Sequence, residues 1–195
     1  MRQERAMLTR AHLLHSAARE FGHQGYAGAS LQEVSRSAGV SMGALTFHFP
    51  TKNALATAVI EVGNAEARQV VDHTTGTEAD PLAAVARLTR DLAELLSRSP
   101  MVRAAARLEN EQGGPNGGWG VLWEASVGRM LERARQRQEL NSGIEPETVV
   151  QLTTHLLYGA AVILHSRPAA DEAEALARIW NAVLQGARVP AANVN

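Results

Sequence analysis

Ser30 to Lys52 reads SLQEVSRSAGVSMGALTFHFPTK, a helix, a tight turn and a second short helix followed by a stop. Ser30 is a favoured N-cap, and Glu33 stands at the third helical position, the pairing of a capping box. Leu31, Val34 and Ala38 fall on one face at helical spacing. Gly39 can take the left-handed conformation that ends a helix, and Val40 then turns inward between the two helices. Ser41 caps the next helix, Met42 to about His48, and Pro50 prevents its continuation because proline lacks the N–H and clashes with the preceding turn. Two short helices joined by a glycine turn form a helix-turn-helix, whose second helix enters the DNA major groove with its N-terminal residues against base edges. A helical hairpin packed for its own sake shows the same signals, so the motif alone leaves both readings open.

The same stretch contains Gly39-Val40-Ser41-Met42-Gly43, a match to G-x-S-x-G, the nucleophile elbow of α/β-hydrolases. That elbow needs a strand before the serine. Leu31 to Ala38 is helical in period and no β-branched run precedes Ser41, so Ser41 reads as an N-cap that can also face a phosphate.

The surrounding chain fits a helical protein. Its 195 residues can bury a real core in one or two domains. Hydrophobic residues make up 45% and charged residues 20%, which excludes a disordered chain. Cysteine is absent, so disulfides and Cys-ligated metal are excluded and a reducing compartment is expected. No apolar run approaches the roughly 20 residues that span a bilayer, and MRQERAMLTR lacks the pattern of a signal peptide. These readings predict a cytoplasmic protein with no membrane contact. Net charge is −1, but its distribution is uneven: residues 1–50 hold five Arg and three Glu, and four of the seven histidines (His12, His15, His23, His48). Lys52 is the only lysine. The sign suits a nucleic-acid-binding N-terminus.

Periodicity predicts helices along nearly the whole chain. The first runs from about Glu4 to Gly22, with Leu13, Leu14, Ala17, Ala18 and Phe21 inward and Gly22 and Gly25 ending it. Thr51 caps a long helix to about His73, and Thr74 to Asp80 reads as a loop. Pro81 opens the next helix, carrying Leu82, Val85, Leu88, Leu92, Leu95 and Leu96, and Pro100 breaks it. Helices follow over about Met101–Asn110, Trp119–Leu140, Pro146–Ser166 and Asp171–Ala187, with a glycine-rich break at Gly113–Gly118 and a stop at Arg167-Pro168. No strand and no repeat is evident. The expected architecture is all-α with about nine helices. A three-helix head with a helix-turn-helix occupies residues 1–50, and a helical ligand-binding and dimerisation domain occupies 51–195. The long helix after Lys52 should pack under the head, which cannot bury much core alone.

The N-terminal third resembles the TetR family of one-component repressors. The residues that carry the likeness are Thr9-Arg10, Ala17 to Phe21, Gly25-Tyr26, Ser30 to Val34, Ala38 to Ser41, Gly43 to Phe49 and Lys52 to Leu55. Within that family, the opening RQERA and the F-H-F ending resemble the γ-butyrolactone autoregulator receptors of Streptomyces. The resemblance implies a repressor that binds a palindromic operator in double-stranded DNA as a homodimer, is released by a small molecule and controls secondary metabolism from the nucleoid. It also implies a ligand-pocket tryptophan, here Trp123. Two positions depart from the family pattern: Met42 stands where lysine is common and Thr46 where tyrosine is common, and both usually contact the DNA backbone. Losing a lysine removes about one unit of salt-dependence slope. Such departures resemble the pseudo-receptors, which answer to antibiotics or their intermediates.

Chemistry assigns roles within that frame. Thr9, Ser30, Ser41, Thr46, His48 and Lys52 can donate to phosphates, and backbone N–H groups at Leu31 and Met42 stand at helix N-termini, which favour anions. Met42, Gly43 and Ala44 are placed to meet base edges, Ala44 being small enough to touch a thymine methyl. Phe47 completes the DNA-facing helix, and with Leu45 is expected to hold it to the core; a packing role is open for His48 too. Trp119, Trp123 and Tyr158 are the pocket candidates, since small-molecule sites are mostly apolar with a few polar anchors. Trp119 is expected as a lid or an exposed residue, and Tyr158 can equally be a core aromatic. The last two helices, about 146–187, are apolar on most sides and are expected to form the dimer interface. His12 and His15 lack a third ligand nearby, and nothing pairs a nucleophile with a base, so no metal, cofactor or catalytic residue is expected. A second functional reading remains: a small-molecule binding protein that kept this fold and lost DNA binding.

Overall fold

The computed structural model describes residues 2–77, 79–112, 119–163 and 169–189. Among them the chain forms α1 (Arg2–Gly28), α2 (Leu31–Ser37), α3 (Met42–His48), α4 (Lys52–Thr77), α5 (Pro81–Arg98), α6 (Pro100–Gln112), a short 3₁₀ turn (Trp119–Leu122), α7 (Glu124–Gln136), α8 (Pro146–Ile163) and α9 (Ala169–Ala187). No strand occurs among the described residues; one antiparallel bridge joins Leu140 and Arg188. The expected all-α class is the observed one. Gly113–Gly118 and the expected stop at Arg167-Pro168 lie outside the described residues. No described helix is long and apolar enough to cross a membrane.

The chain folds as two compact units, Met1–Glu66 with Arg98–Trp119 and Ala67–Ser97 with Gly120–Asn195. In the first, one core gathers Leu13, Leu14, Ala17, Ala18 and Phe21 of α1, Val34 of α2, Leu45, Phe49 just after α3, Leu55, Ala56 and Val59 of α4, and Ala104 and Leu108 of α6. The start of α4 therefore does pack under the short helices. Gly63 lets α4 and α6 approach closely: a Cβ there would stand 2.6 Å from the Ala105 Cβ and 2.7 Å from the Met101 carbonyl oxygen. Polar pairs tie the same helices, Asn64 Nδ2 donating to Glu109 Oε1 at 3.0 Å and Ser99 Oγ to Glu66 Oε2 at 2.7 Å.

The first helix does not end at Gly22. It ends at Gly25 (φ 71°, ψ −179°), the second of the two expected glycines, in a backbone conformation essentially restricted to glycine, and a further short helical segment runs on to Gly28. The break is held from α6. Glu111 Oε2 accepts the Tyr26 N–H at 2.6 Å, and Arg107 Nη1 donates to the carbonyls of Gly22 and His23 at 2.9 and 3.0 Å. These contacts cap the end of the helix, the Gly22 and His23 carbonyls being last-turn groups whose intrahelical partners are lost at the bend.

In the second unit the α5 leucines and Val85 face inward, all buried. Asp80 caps α5, its Oδ1 accepting the N–H groups of Leu82 and Ala83 at 3.0 Å each, with Pro81 in the first turn as expected. Two boundaries differ from the sequence reading. Helix α4 runs through Thr74 to Thr77, because Thr74 is buried and donates to Asp91 Oδ2 at 3.1 Å; that contact outweighs the poor helix propensity of the TTGT run. Trp119–Leu140 is not one helix. A 3₁₀ turn precedes Trp123, α7 closes at Gln136, Gln138 takes φ 59°, and Leu140 pairs with Arg188.

Two carboxylates carry a pH consequence. Partial burial would raise the Asp80 carboxyl, but the Ala83 N–H and Arg188 outweigh it and hold it below the ordinary range. Glu111 is likewise held low, by Arg107 and the Tyr26 N–H against partial burial. Depressed carboxyls give stability that is complete above their unfolded values and is lost as pH falls through the folded ones. The melting temperature is expected to drop steeply below about pH 4. A circular-dichroism series on Asp80→Asn/Glu111→Gln should show a flatter acid limb; an unchanged limb would remove both residues from the account.

Candidate functional site

The turn between α2 and α3 is built as its sequence dictates. Gly39 has φ 67°, and Ser35 Oγ donates to the Val40 carbonyl at 2.7 Å, which locks the turn. Ser41 has extended backbone, and its Oγ accepts the Ala44 N–H at 3.2 Å, so it is the N-cap of α3. Losing such a cap costs about 1 kcal/mol.

At α2 the expected capping box does not form. The Ser30 side chain makes no cap bond. Its Oγ donates to Gln32 Oε1 at 3.1 Å, its N–H donates to Glu20 Oε1 at 3.2 Å, and Glu33 pairs with Arg36 instead of reaching back. A charged partner for Glu33 displaces the weaker reciprocal bond to a backbone amide.

Helix α3 presents one face to solvent. Met42, Gly43, Thr46 and Phe47 are exposed at i, i+1, i+4 and i+5, while Leu45 is fully buried and Ala44 and His48 are half-buried. Leu45 anchors the helix as expected. Phe47 does not: it is 81% exposed, because a seven-residue helix turns only one narrow stripe inward and Leu45 fills it. The His48 ring stands edge-on to Phe47 at 5.3 Å. The Thr46 hydroxyl donates back to the Met42 and Gly43 carbonyls at 3.1 and 3.2 Å. Thr9 does the same to Arg5 at 2.9 Å, and Leu31 packs its side chain against the core, leaving its backbone at the helix start.

Lys52 Nζ donates to the Ala27 carbonyl at 3.3 Å and lies 4.9 Å above the Tyr26 ring. An ammonium has three donors, so it can hold this corner and still meet an anion. The Arg10 guanidinium sits 5.2 Å over the Phe49 ring, and Arg5 and Arg36 are exposed. Sequence reasoning missed Arg10, since a cation over an aromatic 39 positions away leaves no local pattern.

In the second unit Trp123 is completely buried at the start of α7. Trp119, at the edge of the first unit, is also completely buried, so it is neither a lid nor exposed. Tyr158 is half-buried on α8. Next to Trp123, Glu124 Oε1 accepts the hydroxyl of Thr154, one turn before Tyr158, at 3.2 Å. Thr154 and Glu124 add polar groups beside the aromatic candidates that the sequence did not single out. Clefts of about 410 and 540 Å³ lie elsewhere in this unit, against Thr148, Leu152 and Val183 and against Gln138, Ser142 and Val189; neither touches Trp123 or Tyr158. Helices α8 and α9 leave apolar groups outward: Val162 is 70% and Ile179 39% exposed, and Leu152, Leu156, Val183 and Leu184 are half-buried.

Residues 13–59 match the family model described as bacterial regulatory proteins, tetR family. The A-factor receptor protein of Streptomyces griseus is 30% identical over 187 residues, which cover 94% of this chain and 65% of that protein; the chain thus spans just under two thirds of that relative's length. A crystal structure of a γ-butyrolactone receptor (ArpA-like protein) superposes with a TM-score of 0.80 at 28% identity, over 95% of this chain and 91% of the other. CprB from Streptomyces coelicolor, solved in complex with its biological operator sequence, superposes with a TM-score of 0.76 at 28% identity, over 95% and 91% of the two chains.

Proposed function

We propose that the chain is a TetR-family transcriptional repressor released from its operator by a small molecule, a reading supported by the tetR-family match over residues 13–59 and by the likeness to the A-factor receptor and a γ-butyrolactone receptor. The observation that carries this reading is α3: a capped helix locked by Leu45 and the Gly39–Val40 turn, with one face free, in the fold of a relative solved on its operator. In this reading Ser41, Lys52, His48 and the backbone at Leu31 and Met42 fix the phosphates. Thr9, Ser30 and Thr46, whose hydroxyls donate to Arg5, Gln32 and Met42 in the free protein, would join them only by exchanging those bonds, and Met42, Gly43, Ala44, Phe47 and the Thr46 methyl face the groove. Two chains join through the outward faces of α8 and α9 and bind a palindrome, the heads about one helical turn apart. The protein works in the cytoplasm, on the nucleoid, and not as an enzyme.

The effector is a γ-butyrolactone-type signal or an antibiotic-like molecule, taken up around Trp123 and Tyr158, with Trp119 as a further candidate. Likeness to receptors named for A-factor and for γ-butyrolactones supports that class. Secondary metabolism is the process such a signal would govern. The test is release: the preformed complex with its operator is titrated with γ-butyrolactones and antibiotics and followed by fluorescence anisotropy. A saturating effector that frees the DNA supports the reading; protein saturated with effector that keeps full operator affinity contradicts it.

A second reading, a binding protein of this fold that has lost its DNA, is favoured only by the missing lysine at Met42 and the inward-turned Thr46 hydroxyl. Ser41 separates the two. Ser41→Asp keeps an N-cap but sets a carboxylate against a phosphate. It is expected to leave stability within about 0.5 kcal/mol and to weaken operator binding about tenfold, one charge-assisted contact becoming a repulsion. Equal operator affinity in the variant would take Ser41 off the phosphate.

A further inference from the structure

We infer that α3 reads its operator through thymine methyl groups and not through hydrogen bonds to purines; this rests on the DNA-binding reading above. Bidentate recognition of guanine requires arginine or lysine, and of adenine asparagine or glutamine. The exposed face of α3 has none of these. It offers the Met42 thioether, the bare backbone of Gly43, Thr46 and the Phe47 ring. Thr46 donates its hydroxyl proton to its own helix, so toward a base it offers a methyl group and a single acceptor oxygen, which cannot make a bidentate purine pair. On α2, Arg36 pairs with Glu33 and Gln32 Oε1 accepts the Ser30 hydroxyl; both side chains are exposed and keep further donors, so a purine contact from α2 would add to the α3 readout and not replace it.

The exposure itself calls for an occupant. The Phe47 ring, 81% in water, and the partly exposed Met42 thioether each gain from transfer to an apolar surface. In the major groove the apolar group on offer is the thymine C5 methyl. Burial of that kind is insensitive to salt, whereas phosphate contacts are not. The α3 contribution should therefore appear in base preference and not in the salt slope.

The test is selection of the full-length protein on a random-sequence duplex pool. Enriched half-sites are expected to carry thymine, on either strand, at the base pairs facing α3. Replacing those thymines by deoxyuridine removes only the methyl and should weaken binding about three- to fivefold per position. Phe47→Ala and Met42→Ala should each lose that thymine/uracil difference at one position while keeping the wild-type salt slope. A selected site at which deoxyuridine costs nothing, or at which guanines dominate the facing positions, would overturn this inference and leave the repressor reading intact. A pool with no enriched sequence would overturn both.

Discussion

Leu45→Ala is expected to reduce operator affinity by about a hundredfold, with a melting-temperature loss to match. Leu45 is fully buried in the core shared by α1, α2, α4 and α6. Truncating a leucine in such a place costs about 3 kcal/mol, and a factor of ten in population corresponds to about 1.4 kcal/mol. Helix α3 has only seven residues, far below the roughly 12–15 at which an isolated helix becomes even marginal. Its order therefore comes from docking, and Leu45 is the residue of the helix that docks completely. Phe47→Ala supplies the contrast: with the ring in solvent, stability should stay within about 0.5 kcal/mol, while the response to thymine changes. Thermal melts and anisotropy on the two variants separate anchor from reader. Equal stability loss in both would contradict the assignment.

The second large effect is expected at the outward faces of α8 and α9. Ile179→Glu places a carboxylate where the proposed two-fold interface would bury it twice, once from each chain. Desolvating an unpaired carboxylate costs several kcal/mol, enough to shift a dimer to monomers at working concentrations. Two linked heads gain about 10²–10⁴ in avidity over one, so operator affinity should fall at least a hundredfold. Ile179 is 39% exposed and the substitution spares the core of the single chain, so the far-ultraviolet spectrum should be retained. Sedimentation velocity gives the mass and anisotropy the affinity. A variant that remains a dimer with unchanged operator binding would remove this face from the interface.

The parts of the fold that were legible in the sequence rest on local chemistry. Gly39, Ser41 and Leu45 each have one energetically favoured role within a few residues, and the structure places all three as their types require. The leucine spacing of α5 is equally local. What sequence reading missed depends on partners far along the chain. Gly22 and Gly25 both look like stops, and only Gly25 takes the positive φ, with Arg107 of α6 capping the carbonyls before it. The TTGT run looks like a loop until Asp91 accepts from Thr74. Ser30 and Glu33 look like a capping box until Glu20 and Arg36 take their places. Phe47 is a different case. Aromatic residues are generally inward, and only the narrowness of a seven-residue helix turns this one out. Trp119 shows the reverse: proximity to glycines suggested exposure, and the side chain is enclosed. At the effector site the sequence offers aromatic residues but no geometry, because a pocket is assembled from several helices at once.

The central claim is that the α2–α3 head recognises one DNA sequence. Fluorescence anisotropy of the purified protein on the palindromic duplex upstream of its own gene, at two salt concentrations, tests it most directly. The account predicts tight binding that weakens as salt rises, as phosphate contacts release counterions, and that a scrambled duplex of the same length does not reproduce. Equal affinity for the palindrome and the scrambled duplex, or no binding to either at low salt, would contradict it.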